Sequence, residues 1–374
     1  MNKLLFTDTP GNAGGCAQFP ALVPSMSANP PPFSLSSARL PLLVQPAGIA
    51  DVAGLSAWLE AHRDWVTEQL HEVGALLFRG FGVRGVDDVE VVARAIEPGL
   101  QNEYLGSSPR VALSKSGYVF SASELPDFYP LPAHNEMSFT AQPPSRLFFA
   151  CTIAPGKFGE TPLVDFRAVY RDLDPALRER WAKKGLRIIR NYSGPGETKK
   201  DFFELKKWTE MFNTRDRAVV EATCAREGFQ PVWKDNDRLA LISHHQPVRP
   251  HPVTGEPVWF NHIHNFHLDA GHLEYFQVLK LRPSLRHLRY WALARALSAW
   301  KRRTVAAEDQ AMHATFADGS EIPSAEVDAV IRAIWKNLVI TPWQQGDVVV
   351  IDNASTGHGR LPYEGPREVV VSWA

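Results

Sequence analysis

Cysteine is scarce in this 374-residue chain: Cys16, Cys151 and Cys224 lie far apart and are odd in number. Neither a disulfide framework nor a thiolate zinc site is indicated, so a bound metal must be held by histidine and carboxylate. Long hydrophobic runs are missing as well. No window reaches the roughly 18 apolar residues of a membrane span, and the apolar start at residues 1–6 is too short for a signal-peptide core. A soluble, cytoplasmic protein with no membrane partner is expected. Charge of one sign is also lacking, with 40 Lys and Arg against 41 Asp and Glu and a formal net charge of −1. Without a basic field to neutralise phosphates, nucleic acid is not an expected partner.

What is present is ordinary globular material. Hydrophobic residues make up 44% and charged residues 22%, enough for a substantial core and against disorder throughout. Residues 1–36 are rich in Gly, Pro, Ser and Ala without a sustained period, and read as a loosely ordered arm. Residues 37–374 read as a single domain. Val52, Leu55, Trp58, Leu59, Trp65 and Leu70 fall at helical spacing over 51–73, and a buried strand over 74–80 follows. Further apolar or β-branched runs occupy 118–120, 146–153, 238–242, 347–352 and 367–373. Short strands punctuated by 29 Pro and 25 Gly suit a closed or double-layered β architecture. Helical pattern concentrates near 165–225 and 268–335, so one β core with helical insertions is expected.

An iron(II) facial triad needs two imidazoles and one carboxylate, leaving positions open for a cosubstrate and dioxygen. Its local form, His-x-Asp/Glu, occurs at His134–Glu136, His267–Asp269 and His272–Glu274. The bare pattern is weak evidence, because chance alone supplies one or two copies. His272 begins a helical stretch, where residues i and i+2 diverge by about 200°, and reads as a solvated helix start. His267 belongs to the run His262, His264, His267, which reads as loop histidines or, in a rival reading, as a zinc site of a hydrolase. His134 follows a Pro-rich loop and leads toward the 146–153 strand; on a strand, residues at this spacing share a face. Near the carboxyl end, His358 is flanked by Gly357 and Gly359 after an apolar strand, as an uncovered ligand would be. Arg367, nine residues on, carries a fork that matches a carboxylate, with a neighbouring strand as its expected seat. A capped turn and a structural ion pair are the bland alternatives for these two.

The segments 134–139, 159–165 and 353–367 together resemble the taurine-dioxygenase (TauD/TfdA) and clavaminate-synthase family of iron(II)/2-oxoglutarate oxygenases. Segments 74–81, 106–110 and 251–261 look like its branch of syringomycin-type aspartyl hydroxylases. The resemblance implies a mainly β fold with α insertions, a double-stranded β-helix (jelly-roll) core of clavaminate-synthase type. It implies Fe(II) on His134, Glu136 and His358, with 2-oxoglutarate and O2 as cosubstrates. Thr161 and Arg367 would serve 2-oxoglutarate, Arg367 on its distal carboxylate, with Arg360 a second cationic partner. Two departures stand out: Glu136 where Asp is commoner, and Phe158–Gly159 where Gly–Gly is usual. Retention of Glu136 argues against halogenation, which needs that position vacated. The branch implies hydroxylation of an amino acid, free or tethered to a peptidyl carrier protein, in a specialised-metabolite (antibiotic-type) pathway. A desaturase or cyclase on the same site, and a non-catalytic metal-binding scaffold, are the rivals. The helical blocks, with Trp208, Phe212, Trp259 and Phe266 among their neighbours, read as a lid and substrate pocket, or these aromatics fill an accessory core.

Overall fold

The computed structural model describes residues 33–36, 40–106, 110–197 and 205–374. Most of the expected amino-terminal arm, Cys16 included, lies outside the described residues. Its end does not match the expectation, because Phe33–Leu35 is a strand paired antiparallel with Leu42–Pro46.

A seven-stranded sheet forms the larger layer. Its order is Phe33–Leu35, Leu42–Pro46, Ala75–Phe78, Val348–Asp352, Arg146–Ile153, Glu368–Trp373, Phe120–Ser121. Both faces are covered, which is why its central strands read as unbroken apolar runs. Leu147, Phe149 and Cys151 point to one core together with Val349, Ile351, Val369, Val371 and Trp373. Phe148, Ala150, Val348, Val350 and Val370 point to a second core under the helices. Those helices are Val52–Ala61, Arg63–Val73 and Val86–Ile96. The expected helix over 51–73 is thus two, broken at His62, whose ψ of 35° ends the first helix.

A four-stranded sheet, in the order Leu338–Val339, Leu163–Asp165, Thr356–Arg360, Leu131–His134, shares the first core with the larger layer. Two layers over a common core, antiparallel except where Leu42–Pro46 runs parallel to Ala75–Phe78, agree with the expected jelly roll. A third sheet was not foreseen. Gln230–Lys234, Arg238–His245, Leu186–Tyr192 and Met312–Phe316 pair in that order. The 165–225 block therefore carries a strand among its helices Phe166–Asp172, Pro175–Lys184, Trp208–Met211 and Arg217–Glu227. Within 268–335 the expected helices are Ala270–Leu281, Leu285–Thr304 and Ser324–Lys336, with strand Met312–Phe316 between the last two.

The aromatics of the lid reading mostly fill this added core instead. Trp259 is fully buried against Trp181 at 5.3 Å, and Trp208 against Trp233 at 5.2 Å. Phe266 alone of the four has a recorded ring contact beside the candidate site, 5.1 Å from the His262 ring. No helix of the described residues is long and apolar enough to cross a membrane.

Candidate active site

Strand Leu131–His134 ends at His134, which lies directly opposite His358 in the register of the small sheet. Neighbouring strands thus present two imidazoles on one face, their ring centroids 4.7 Å apart. Glycines on both sides of His358 are required by the packing. A Cβ at Gly359 would sit 2.6 Å from the Leu131 carbonyl oxygen, and one at Gly357 would meet the Phe166 ring. Glu136 is not on the strand, so the shared-face argument does not apply to it. It stands in a tight turn that continues into Met137 at φ 50°.

That turn is held by Asn353, which follows strand Val348–Asp352. The Asn353 Oδ1 accepts from the Glu136 amide at 2.7 Å, and its Nδ2 donates to the carbonyls of Glu136 and Pro144 at 3.0 and 2.7 Å. Asn135 returns a bond to the Asn353 carbonyl at 2.8 Å. Potential ligand atoms of His134, Glu136 and His358 all lie within 4.8 Å of one another, the one such trio among the described residues. All three side chains are buried.

The donor set suits a divalent metal. The Nδ1–H of His134 is placed to donate to the Pro132 carbonyl at 2.8 Å, leaving Nε2 as the free lone pair. Burial lowers the pKa of His134 and holds that of His358 well below the ordinary value, so both rings are neutral, as ligation requires. The Nε2 of His358 lies 3.6 Å from Glu136 Oε2, and its ring packs on Phe149 at 4.6 Å. Glu136 Oε2 also accepts from Arg110 Nη2 at 2.7 Å, a pair buried at both ends. Arg110 and Asn353 both bear on the metal candidate. Neither was singled out for such a role in the sequence, since their partners are 26 and 217 residues away.

Arg367 does not sit on a strand next to His358. It precedes Glu368–Trp373 in the large sheet and reaches across to the turn before Leu163–Asp165. Its Nε donates to the Gly159 carbonyl at 2.8 Å and its Nη2 to Thr161 Oγ1 at 3.3 Å. Trp343 Nε1 donates to the same hydroxyl at 3.1 Å. Burial and the nearby Arg360 charge bring Arg367 down to about 10, which leaves it a cation at neutral pH. The Phe158 departure is accommodated by strain: Phe158 adopts φ 63°, a left-handed conformation glycine takes freely, and Arg282 stacks on its ring at 3.8 Å. Arg282 also pairs with Glu160 at 2.6 Å, so the turn is clamped from outside.

Arg360 has a different setting. Its terminal nitrogens donate to the carbonyls of Leu125, Pro126 and Tyr129 at 2.8, 2.6 and 2.8 Å, tying down the loop before His134. The histidine run is likewise taken up locally. His262 Nδ1 meets Ser138 Oγ at 2.5 Å, while His264 and His267 bond the carbonyls of Ala133 and Ile322. No zinc trio forms from them among the described residues. His272 lies in helix Ala270–Leu281 as expected, but Glu274 is not solvated. It is buried, accepts from Trp335 Nε1 at 3.0 Å, and burial raises it to about 7.

These features define a class of protein. Residues 37–373 match the family described as taurine catabolism dioxygenase TauD, TfdA family, and the chain belongs to that family of Fe(II)/2-oxoglutarate-dependent dioxygenases. Its cofactor is Fe(II), with 2-oxoglutarate and O2 as cosubstrates. Among its relatives is the dapdiamide synthesis protein DdaC of Enterobacter agglomerans, 30% identical over 82% of this chain and 84% of DdaC. A clavaminate synthase-like protein of Arabidopsis thaliana is 28% identical over 100% of this chain and 99% of its own. Among solved structures, PvcB of Pseudomonas aeruginosa is similar with a TM-score of 0.49 and 14% identity, over 93% of this chain and 92% of PvcB.

The hold of Asn353 on the Glu136 turn yields a prediction. Asn353→Ala leaves buried amide and carbonyl groups unpaired and costs about 1–3 kcal/mol per group left so. Fe(II) affinity should fall about 10–100-fold, as when an outer partner of a ligand is lost. Titration calorimetry under argon checks the affinity and urea unfolding the stability.

Proposed function

We propose that His134, Glu136 and His358 hold Fe(II), and that Arg367 and Thr161 seat 2-oxoglutarate. We propose further that the enzyme hydroxylates an unactivated C–H bond of an amino acid or carrier-tethered aminoacyl group in specialised metabolism. The observation that carries the reading is the convergence of two neutral buried imidazoles and one carboxylate within 4.8 Å. Similarity to DdaC, named for dapdiamide synthesis, supports the pathway class.

When bound, the iron and 2-oxoglutarate supply an oxidant that places one O2 oxygen in the substrate and one in succinate, with loss of CO2. The chain supplies position and dryness. His134 is oriented by its bond to Pro132, and Glu136 by Asn353 and Arg110. His358 is screened from water by the Phe149 ring. Arg367 is a half-buried cation whose fork suits a carboxylate, with the Thr161 hydroxyl beside it.

The test is aerobic incubation with Fe(II), 2-oxoglutarate and a panel of free L-amino acids and aminoacyl carrier proteins. At least one should release succinate in proportion to a product heavier by one oxygen atom. Substrate-dependent succinate with a product lighter by two hydrogens would indicate the desaturase or cyclase reading. No substrate-dependent succinate from any member would count against the proposed substrate class.

A further inference from the structure

The accessory sheet carries a buried charge with no counter-charge among the described residues. Arg190, on strand Leu186–Tyr192, is fully buried, yet among the described residues its Nε and Nη2 have no hydrogen-bond partner. Its Nη1 donates to the Leu105 carbonyl at 3.2 Å. No carboxylate among the described residues pairs with it. Aromatic faces surround it instead: Phe139 at 4.2 Å, Phe229 at 4.8 Å and Tyr192 at 6.0 Å, with the Tyr192 hydroxyl also unpartnered. Ring faces attract a cation but offset only a fraction of its lost hydration. A guanidinium does not escape by shedding its proton.

Arg190 is not alone. The Tyr104 ring lies 4.5 Å from the Arg110 guanidinium and 5.6 Å from Lys206 Nζ. Lys206 is lowered to about 8, first by burial and then, against the opposing pull of Glu210, by Arg110 and Arg190. Among the described residues the buried carboxylate paired with this group is Glu136, on Arg110, and Glu136 is also the carboxylate proposed for iron. The cluster adjoins the proposed metal centre: Phe139, under Arg190, is 5.1 Å from the His262 ring, which is 4.9 Å from that of His134. Among the described residues it shares no contact residue with Arg367, whose partners are Gly159, Thr161 and Tyr363.

We propose that Arg190, with Arg110 and Lys206, seats a carboxylate of the organic substrate, separate from the carboxylates of 2-oxoglutarate. This rests on the hydroxylase reading and narrows it. A free amino acid, or an acyl group with an acidic side chain, provides such a carboxylate, whereas a neutral aminoacyl thioester does not.

Acetate and its neutral counterpart acetamide are the probes, with chloride at matched ionic strength as reference. Melting of the full chain is followed without added iron or 2-oxoglutarate, so the result is independent of whether the metal reading holds. Acetate at roughly 100 mM should raise the melting temperature by about 2 °C over chloride, and acetamide should not. The shift should be smaller in Arg190→Met than in the wild type and survive in Arg190→Lys. Because acetate at Arg367 would act equally on both proteins, the difference isolates Arg190. Lys206→Gln, at the edge of the cluster, should show a reduced shift, and it stands as the test if Arg190→Met does not fold. No acetate-specific shift in the wild type, equal shifts in the wild type and Arg190→Met, or an undiminished shift in Lys206→Gln would overturn the proposal. Loss of Fe(II) binding with the shift intact would overturn the metal reading alone.

Discussion

Glu136→Ala should reduce substrate-coupled succinate formation to background and weaken Fe(II) binding by more than about a hundredfold. Loss of a mere outer partner of a metal ligand already costs about 10–100-fold. The variant removes the carboxylate from the trio and leaves the His134 and His358 rings in their strands. It also leaves Arg110 without its buried partner, a change that costs about 3–5 kcal/mol where a buried pair is broken. Glu136→Gln separates the two effects. It keeps an acceptor for Arg110 but is a poorer ligand, so it should recover part of the stability and little of the activity. Fe(II) titration and succinate assays on both variants, with thermal unfolding alongside, check the pattern. Wild-type-like turnover in Glu136→Ala would remove this residue from the site.

Arg367→Met should act on the cosubstrate rather than on the metal. Charged hydrogen bonds are worth about 1.5–3 kcal/mol, so the apparent KM for 2-oxoglutarate should rise about ten- to a hundredfold. Fe(II) affinity should stay near that of the wild type, because the recorded bonds of Arg367 go to Gly159 and Thr161 and not to the trio. Arg360→Gln is the informative contrast. Its guanidinium holds the carbonyls of Leu125, Pro126 and Tyr129, so the expected result is a lower melting temperature with a smaller change in KM for 2-oxoglutarate. The reverse ranking, with Arg360→Gln raising that KM more than Arg367→Met, would exchange the roles of the two arginines.

Legibility in the sequence followed the range of the interactions. The strands Arg146–Ile153 and Val348–Asp352 are buried on both faces, so their unbroken apolar runs announce them. The Gly357–His358–Gly359 triplet stands out in the sequence itself, although what leaves no room for side chains beside the ring is distant in sequence, at Leu131, Ala133, His134 and Phe166. Glu136 was within reach through its spacing from His134, although the geometry behind that spacing is a turn rather than a strand. What stayed hidden depends on distant partners. Asn353 acts through a turn 217 residues away, and Arg110 through a carboxylate whose burial no local pattern reveals. The accessory sheet escaped notice because Met312–Phe316 pairs with Leu186–Tyr192 across more than a hundred intervening residues. The histidine run at 262–267 leaves a zinc rival open in the sequence because composition alone does not disclose the Ser138, Ala133 and Ile322 partners that satisfy it.

The most direct measurement is an anaerobic titration of the full chain with Fe(II) and then 2-oxoglutarate, following the visible charge-transfer absorption of the chelated cosubstrate. The account predicts that the band grows to a single Fe(II) per chain and is lost in His134→Ala and in His358→Ala while both variants remain folded. A band of undiminished strength in either variant, or none in the wild type at saturating ligand, would contradict it.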